Sequence, residues 1–201
     1  MKFTQTLKHS FAISLLALTT FGFSSCSDDD KEIKPVVLED SKATVQTATI
    51  VASASAKGFY NLNTNTKTDS INSTINLSGM FGASLRSSHP NTYKLGYLDK
   101  TGTSIDNITL DILKNTKFEL VSSIGVDLSK IPMPNFDPAI WLSYDHGVTY
   151  QVKSIENRYV VFYKGSEFSE KADEIYVLQA DKVVAANSVG TYTIKYKKYT
   201  K

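Results

Sequence analysis

The side chains best suited to chemistry are few and far apart. His89 stands beside Pro90, and His146 lies between Asp145 and Gly147. Met80 and Met133 sit next to Gly or Pro in irregular stretches. Imidazole and thioether groups are the usual axial ligands of haem iron, and a flat macrocycle also needs an aromatic, apolar bed. Trp141, Tyr144 and Tyr150 surround His146 in a ten-residue stretch that holds the only Trp of the chain. Such rings also make contact surfaces for sugars, peptides and planar ligands. The expectation is a small-molecule site drawn from His89, His146, Met80, Met133, Trp141, Tyr144 and Tyr150, with haem as one candidate and any metal undetermined. The competing expectation is ordinary: turn histidines, methionines packing the edge of the core, and aromatics filling a β core.

Templates for catalysis are absent. There is no Gly-x-Gly-x-x-Gly, no Gly-Lys-Ser/Thr phosphate loop and no His-Glu-x-x-His. No Gly-x-Ser-x-Gly elbow occurs either. Asp137, Asp145, Glu156 and Asp173 could supply a carboxylate pair for sugar hydrolysis, but no motif selects them. A Ser-His-Asp arrangement using His89 or His146 is equally unmarked. The expectation is a protein without catalytic residues. A hydrolase acting on polysaccharide or peptide is the remaining enzymatic reading.

Cys26 is the only cysteine, so it has no partner for an internal disulfide. Before it stand Lys2 and Lys8, an apolar run over residues 11–23, and Ser24-Ser25. A basic start, a short apolar core and small residues at the exit form the pattern of a processed export signal. The run is shorter than the roughly 20 residues of a spanning helix. Phe23-Ser24-Ser25-Cys26 resembles the bacterial lipobox, with Phe where Leu is usual. The expected organisation is a signal over 1–25, lipid attachment at Cys26, an acidic flexible tether over 26–42 and one domain over 43–201. Two or more acyl chains hold such a protein stably at a bilayer, at roughly 0.8 kcal/mol per buried CH₂.

The charge balance follows from this division. The whole chain carries 22 basic and 20 acidic side chains. Lys2 and Lys8 leave with residues 1–25 and no acidic residue does, so the remainder is formally neutral. Arg occurs only at 86 and 158. Nucleic-acid binding needs clustered Lys and Arg, and the one weak cluster, Lys195 to Lys201, is expected to solvate a final strand. No nucleic-acid partner is expected.

The elements that must position these residues read as β. The 11 Tyr and 10 Phe favour strands, and the dense Ser, Thr and Asn favour turns and polar strand faces. Strands are expected within 43–56, over 58–62, around 71–77, and around Tyr93, Leu95 and Tyr97. Arg158 to Tyr163 is apolar on both faces and reads as a central strand. Glu174 to Gln179 and Thr191 to Tyr199 follow, and with Tyr150 to Val152 they predict an antiparallel meander. Asp111 to Val121 is the one helical candidate. The pattern predicts an all-β domain, a mostly antiparallel sandwich or partly closed barrel with at most one short helix.

Cys26-Ser-Asp-Asp-Asp resembles the start of surface-exported lipoproteins of the Bacteroidetes, in which acidic residues follow the acylated Cys. That resemblance implies an outer-membrane, lipid-anchored protein facing the outside of the cell. With Gly58-Phe59-Tyr60-Asn61-Leu62-Asn63-Thr64, Trp141-Leu142-Ser143-Tyr144 and the Tyr-rich end, the chain also resembles, in position and composition, the HmuY family of haem-binding surface lipoproteins. The resemblance implies an all-β fold and haem uptake, and it carries over no individual ligand residue. Asp69-Ser70-Ile71 resembles the O-glycosylation site of the same bacteria, which marks Ser70. The functional expectation is therefore a non-catalytic binding lipoprotein. A structural or adhesin-like module that meets a cell-envelope protein or glycan is the alternative.

Overall fold

The computed structural model describes residues 35–129, 139–147 and 149–201. Cys26 and Met133 lie outside the described residues. In chain order the strands are β1 (Thr44–Ser53), β2 (Gly58–Asn61), β3 (Thr66–Lys67), β4 (Ile75–Ser78), β5 (Ser84–Ser87) and β6 (Lys94–Asp99). A short helix α1 (Leu110–Asn115) comes next. It is followed by β7 (Glu119–Val121), β8 (Gly125–Asp127), β9 (Ile140–Tyr144), β10 (Val152–Ser154), β11 (Arg158–Lys164), β12 (Glu174–Ala186) and β13 (Val189–Thr200).

The fold is an all-β sandwich, open rather than closed into a barrel. One layer is a six-stranded sheet in the order β1-β13-β12-β11-β6-β7. The facing layer has two parts, β3-β2-β4-β5 and β10-β9-β8. Leu85 and Ile124 exchange backbone bonds of 2.8 and 3.0 Å and join the two parts. Every strand pair is antiparallel except β8 with β9.

Alternation explains the layers. Ile50, Phe162, Leu178, Tyr192 and Ile194 point from the large sheet toward Leu62, Leu77, Leu85 and Trp141 of the facing layer. On the other face of the large sheet, Val161, Val177 and Tyr199 meet Leu38, Ile105, Ile108 and Leu113. The three-residue helical turn Ile105–Asn107 and α1 thus form a partial third layer. β11 is buried on both faces, as its sequence predicts, and lies inside the sheet between β12 and β6.

Several boundaries differ from expectation. The meander holds for β11, β12 and β13, but β10 pairs with β9 in the other layer. β12 and β13 are longer than their clearest apolar cores. They meet at Asn187 and Ser188, both with positive φ (50° and 65°), the geometry of a tight type I′ hairpin. The predicted helix is divided. Thr109 caps α1 by accepting the Ile112 N–H at 3.2 Å, and the chain is extended again at Thr116. There the Phe118 ring covers Gly96, where a Cβ would collide with it. That close approach pairs β7 with β6.

The packed unit runs from Pro35 to Lys201 and so begins before residue 43. Leu38 is only 3% exposed, and its N–H donates to Glu170 O at 2.8 Å. Asp40 caps α1 by accepting the Leu110 N–H at 2.9 Å. The segment just before β1 is therefore built into the domain rather than part of a free tether. Among the described residues no helix is long and apolar enough to cross a membrane.

Candidate functional site

The site is built on a buried pair. Trp141 of β9 and Tyr192 of β13 stack with ring centres 6.0 Å apart and planes 20° apart. They are 2% and 0% exposed. Trp141 Nε1 donates to the Ala83 carbonyl at 2.8 Å, and Tyr192 OH donates to the Phe81 carbonyl at 2.7 Å. Burial pushes the Tyr192 phenol well above its ordinary range, so it stays a donor. Together the two rings hold the helical turn Met80–Gly82 and its C-cap residue through the Phe81 and Ala83 carbonyls. Gly190 completes the seat, because a Cβ there would collide with the Phe81 carbonyl oxygen.

Pinned this way, Phe81 adopts φ 55°, a left-handed conformation that bulky residues rarely take. Its ring projects toward β9 and meets Tyr144 at 5.5 Å. Tyr144 meets His146 at 5.8 Å, and His146 meets Tyr150 edge-on at 5.5 Å. Tyr150 is also left-handed, with φ 55°, and is 59% exposed. Its turn is closed by Asp145 N to Gln151 O at 2.9 Å and Tyr150 N to Asp145 O at 2.8 Å. Thr149 Oγ1 donates to Asp145 Oδ2 at 2.9 Å. Met80, 42% exposed, flanks Phe81 in the pinned turn.

The expected residues therefore divide. Tyr144, His146 and Tyr150 form one row, and Met80 adjoins the Phe81 that joins it. Trp141 is not a surface residue. Its indole fills the core and its N–H is taken by Ala83, so it supports the row from below and offers no face to a ligand. His89 belongs to a different turn, after β5, where its Nε2 lies 3.0 Å from Ile71 O. The two histidines thus belong to separate turns with separate neighbours.

Ser70 is exposed in a turn organised by Asp69, which accepts the Ile71 and Asn72 N–H groups at 2.9 Å. The Asn72 backbone bond holds the Asp69 carboxyl below its ordinary range. Phe81 escaped the sequence reading. The signal was available, since a bulky aromatic inside Gly79-Met80-Phe81-Gly82 must be held in a tight bend.

Asp145 takes part in its own turn, Asp173 pairs with Lys201 at 3.0 Å, and Asp137 lies outside the described residues. Among the described residues no group of three or more His, Cys, Asp and Glu side chains could hold a metal ion. Glu174 accepts Tyr93 OH at 2.7 Å and Tyr176 OH at 3.0 Å. Desolvation, reinforced by that carboxylate, pushes both phenols up. Tyr93 also lines an open groove of about 400 Å³ with Pro90, Leu95, Leu120 and Val121.

What the ring row can do chemically is contact and orient. It presents aromatic faces and edges, one imidazole and phenol hydroxyls on a support anchored in the core. No family model, curated protein or solved structure compared with this chain matches it.

Proposed function

We propose that this is a lipid-anchored surface protein of the outer membrane with a non-catalytic binding role, and that Phe81, Tyr144, His146 and Tyr150 are its contact surface. One observation carries the reading. Two bulky residues, Phe81 and Tyr150, hold left-handed backbone conformations within a single row of four rings. Each such conformation costs on the order of 1–3 kcal/mol and persists where the surrounding structure over-determines it, a situation concentrated at ligand contacts. The ligand class that fits is a small planar or ring-shaped molecule laid on aromatic faces. Haem is the specific candidate, with His146 as the imidazole at hand and Met80 at the border of the row.

The test is a titration of the purified chain with haem, followed by its absorption spectrum. Binding is expected to shift the Soret band, and His146→Ala and Tyr150→Ala are expected to abolish the shift. No shift with haem removes haem as the ligand. The same two variants, screened against cell-envelope glycans, then test the surface itself.

The second reading is an adhesin-like module within a cell-envelope complex. It is favoured by the exposure of the ring row, where Tyr150 is 59% exposed. Membrane attachment through Cys26 and glycosylation at Ser70 belong to the same proposal. Mass spectrometry of protein from its native cells checks both. The expected product starts at an acylated Cys26 and carries added mass on the peptide containing Ser70.

A further inference from the structure

We propose that two copies of this chain associate through β1, whose free edges pair antiparallel about a two-fold axis and continue the large sheet from one copy into the next. Among the described residues β1 ends the six-stranded sheet and its only strand partner is β13. It is ten residues long, Thr44 to Ser53, and contains no charged residue, no Pro and no Gly. Its register with β13 is unbroken throughout, so no bulge turns the edge aside. Proteins that keep an edge strand single usually shorten it, charge it, bulge it or place Pro on it. Over Thr44–Ile50 β1 uses none of these devices; only at its end does the chain fold back, with the Ser53 N–H donating to Ala56 O at 2.8 Å and Gly58 packed against the Val51 carbonyl. Its outward residues Val45, Thr47, Thr49 and Val51 are exposed, and all four are β-branched.

The occupant is a second copy for two reasons. The first is charge. Asp40 precedes β1 and Lys57 follows it, both exposed. Antiparallel self-pairing brings Asp40 of one copy toward Lys57 of the other at both ends, while the strand between them is neutral and opposes itself without repulsion. The second is the other end of the sheet. β7 has only three residues and is flanked by the Lys117–Glu119 ion pair at 2.5 Å. A head-to-tail contact would set ten residues against three, so the closed, self-complementary arrangement is the one that fits.

The experiment uses the chain from residue 27 onward, which contains the whole packed unit from Pro35 to Lys201. Sedimentation equilibrium is expected to give a reversible dimer. Thr47→Lys with Thr49→Lys, at exposed outward positions, is expected to give a monomer with an unchanged circular dichroism spectrum. Leu120→Lys at the opposite edge should leave the dimer intact. Chains carrying Thr47→Cys and Thr49→Cys should cross-link between copies on oxidation, because residues opposed in antiparallel strands lie about 4.5–5.5 Å apart. A monomer at every concentration overturns the proposal. So does a dimer that survives both lysines, or a monomer whose β1 edge takes up an added peptide of another sequence. Ligand binding at the ring row is read separately, so either result stands without the other.

Discussion

Trp141 and Tyr192 stack in the core, and each directs its one polar hydrogen to the same turn. The indole N–H holds Ala83 O, and the phenol holds Phe81 O, two residues earlier. β9 belongs to one layer and β13 to the other, so this pair ties the two layers together and fixes the strained turn that carries Phe81. The aromatic row therefore rests on the core rather than on loop residues alone.

Tyr192→Phe keeps the stack and removes the donor. The Phe81 carbonyl then loses its partner, at a cost of about 1–3 kcal/mol. Trp141→Phe removes a donor and also leaves a void, so its cost is expected at the upper end of that range or beyond. Tyr150→Ala, at an exposed position, should change stability by about 0.5 kcal/mol or less apart from relief at its left-handed backbone. Urea unfolding of the three variants checks the order. Equal losses for Tyr192→Phe and Tyr150→Ala would show that the turn is not held from below.

Lys197 is buried, and its Nζ donates to Asp106 O at 2.9 Å and Ile108 O at 2.7 Å. It thereby fastens the helical turn 105–107 to β13. Lys197→Met preserves the stem and leaves the Asp106 carbonyl without this donor, while Ile108 O keeps Tyr199 OH at 2.6 Å. A loss of about 1–3 kcal/mol is expected. Lys195→Ala breaks only the exposed pair with Asp106 and should cost clearly less than Lys197→Met. Thermal unfolding of both variants separates the two roles.

Tyr176, Tyr192, Tyr196 and Tyr199 are all buried, and in each case desolvation is the main cause that raises the phenol above its ordinary range. A raised folded value means the unfolded chain releases its protons first. The associated stability is complete below about pH 10, the ordinary tyrosine value, and is lost as pH rises beyond it. Denaturant midpoints should be level from neutral pH to about pH 9 and fall steeply above about pH 10. At the acid end the sign reverses. Hydrogen bonds lower Asp69 and Asp106, so what they contribute is present above about pH 4 and fades as pH falls. A midpoint that stays constant through the alkaline range would contradict the burial of these phenols.

The β12–β13 turn offers a stabilising change. Ser188 sits at φ 65°, a conformation that costs a residue with a Cβ roughly 1–2 kcal/mol. Asn187 already suits its place, and Asn-Gly is the preferred pair for this hairpin. Ser188→Gly should raise stability by about 0.5–1 kcal/mol after the flexibility of Gly in the unfolded chain is counted. A rise in the thermal midpoint, with the ring row unaltered, is the expected result.

Much of the architecture is legible in residue order because it depends on local periodicity. The two-faced apolar pattern of Arg158 to Tyr163 requires burial on both sides, and β11 is the strand covered on both faces. The alternation of Tyr192, Ile194 and Tyr196 likewise specifies the inward face of β13. The all-β class and strands such as β2, β6 and β11 follow from such patterns, together with the Gly, Pro and Asn turns between them, whereas β3, β5, β8 and β9 are not legible as strands in the residue order. Periodicity does not name a partner. Val152 begins a strand in either layer, and only side-chain packing placed it against β9. Nor does a weak helical period survive at Thr116, where Phe118 gains more by covering Gly96 than α1 would gain from another turn.

The candidate site divides along the same line. The order of residues alone brought Trp141, Tyr144, His146 and Tyr150 into one stretch and marked it as a candidate recognition surface. Which of them faces solvent was settled in three dimensions. Alternation along β9 sends Trp141 inward, and a carbonyl far away in sequence takes its N–H. Phe81 joined the row because the fold brings residue 81 beside residue 144, a contact whose sequence separation leaves no local trace. A side chain's type is written in the chain, but its exposure depends on every element that packs against it.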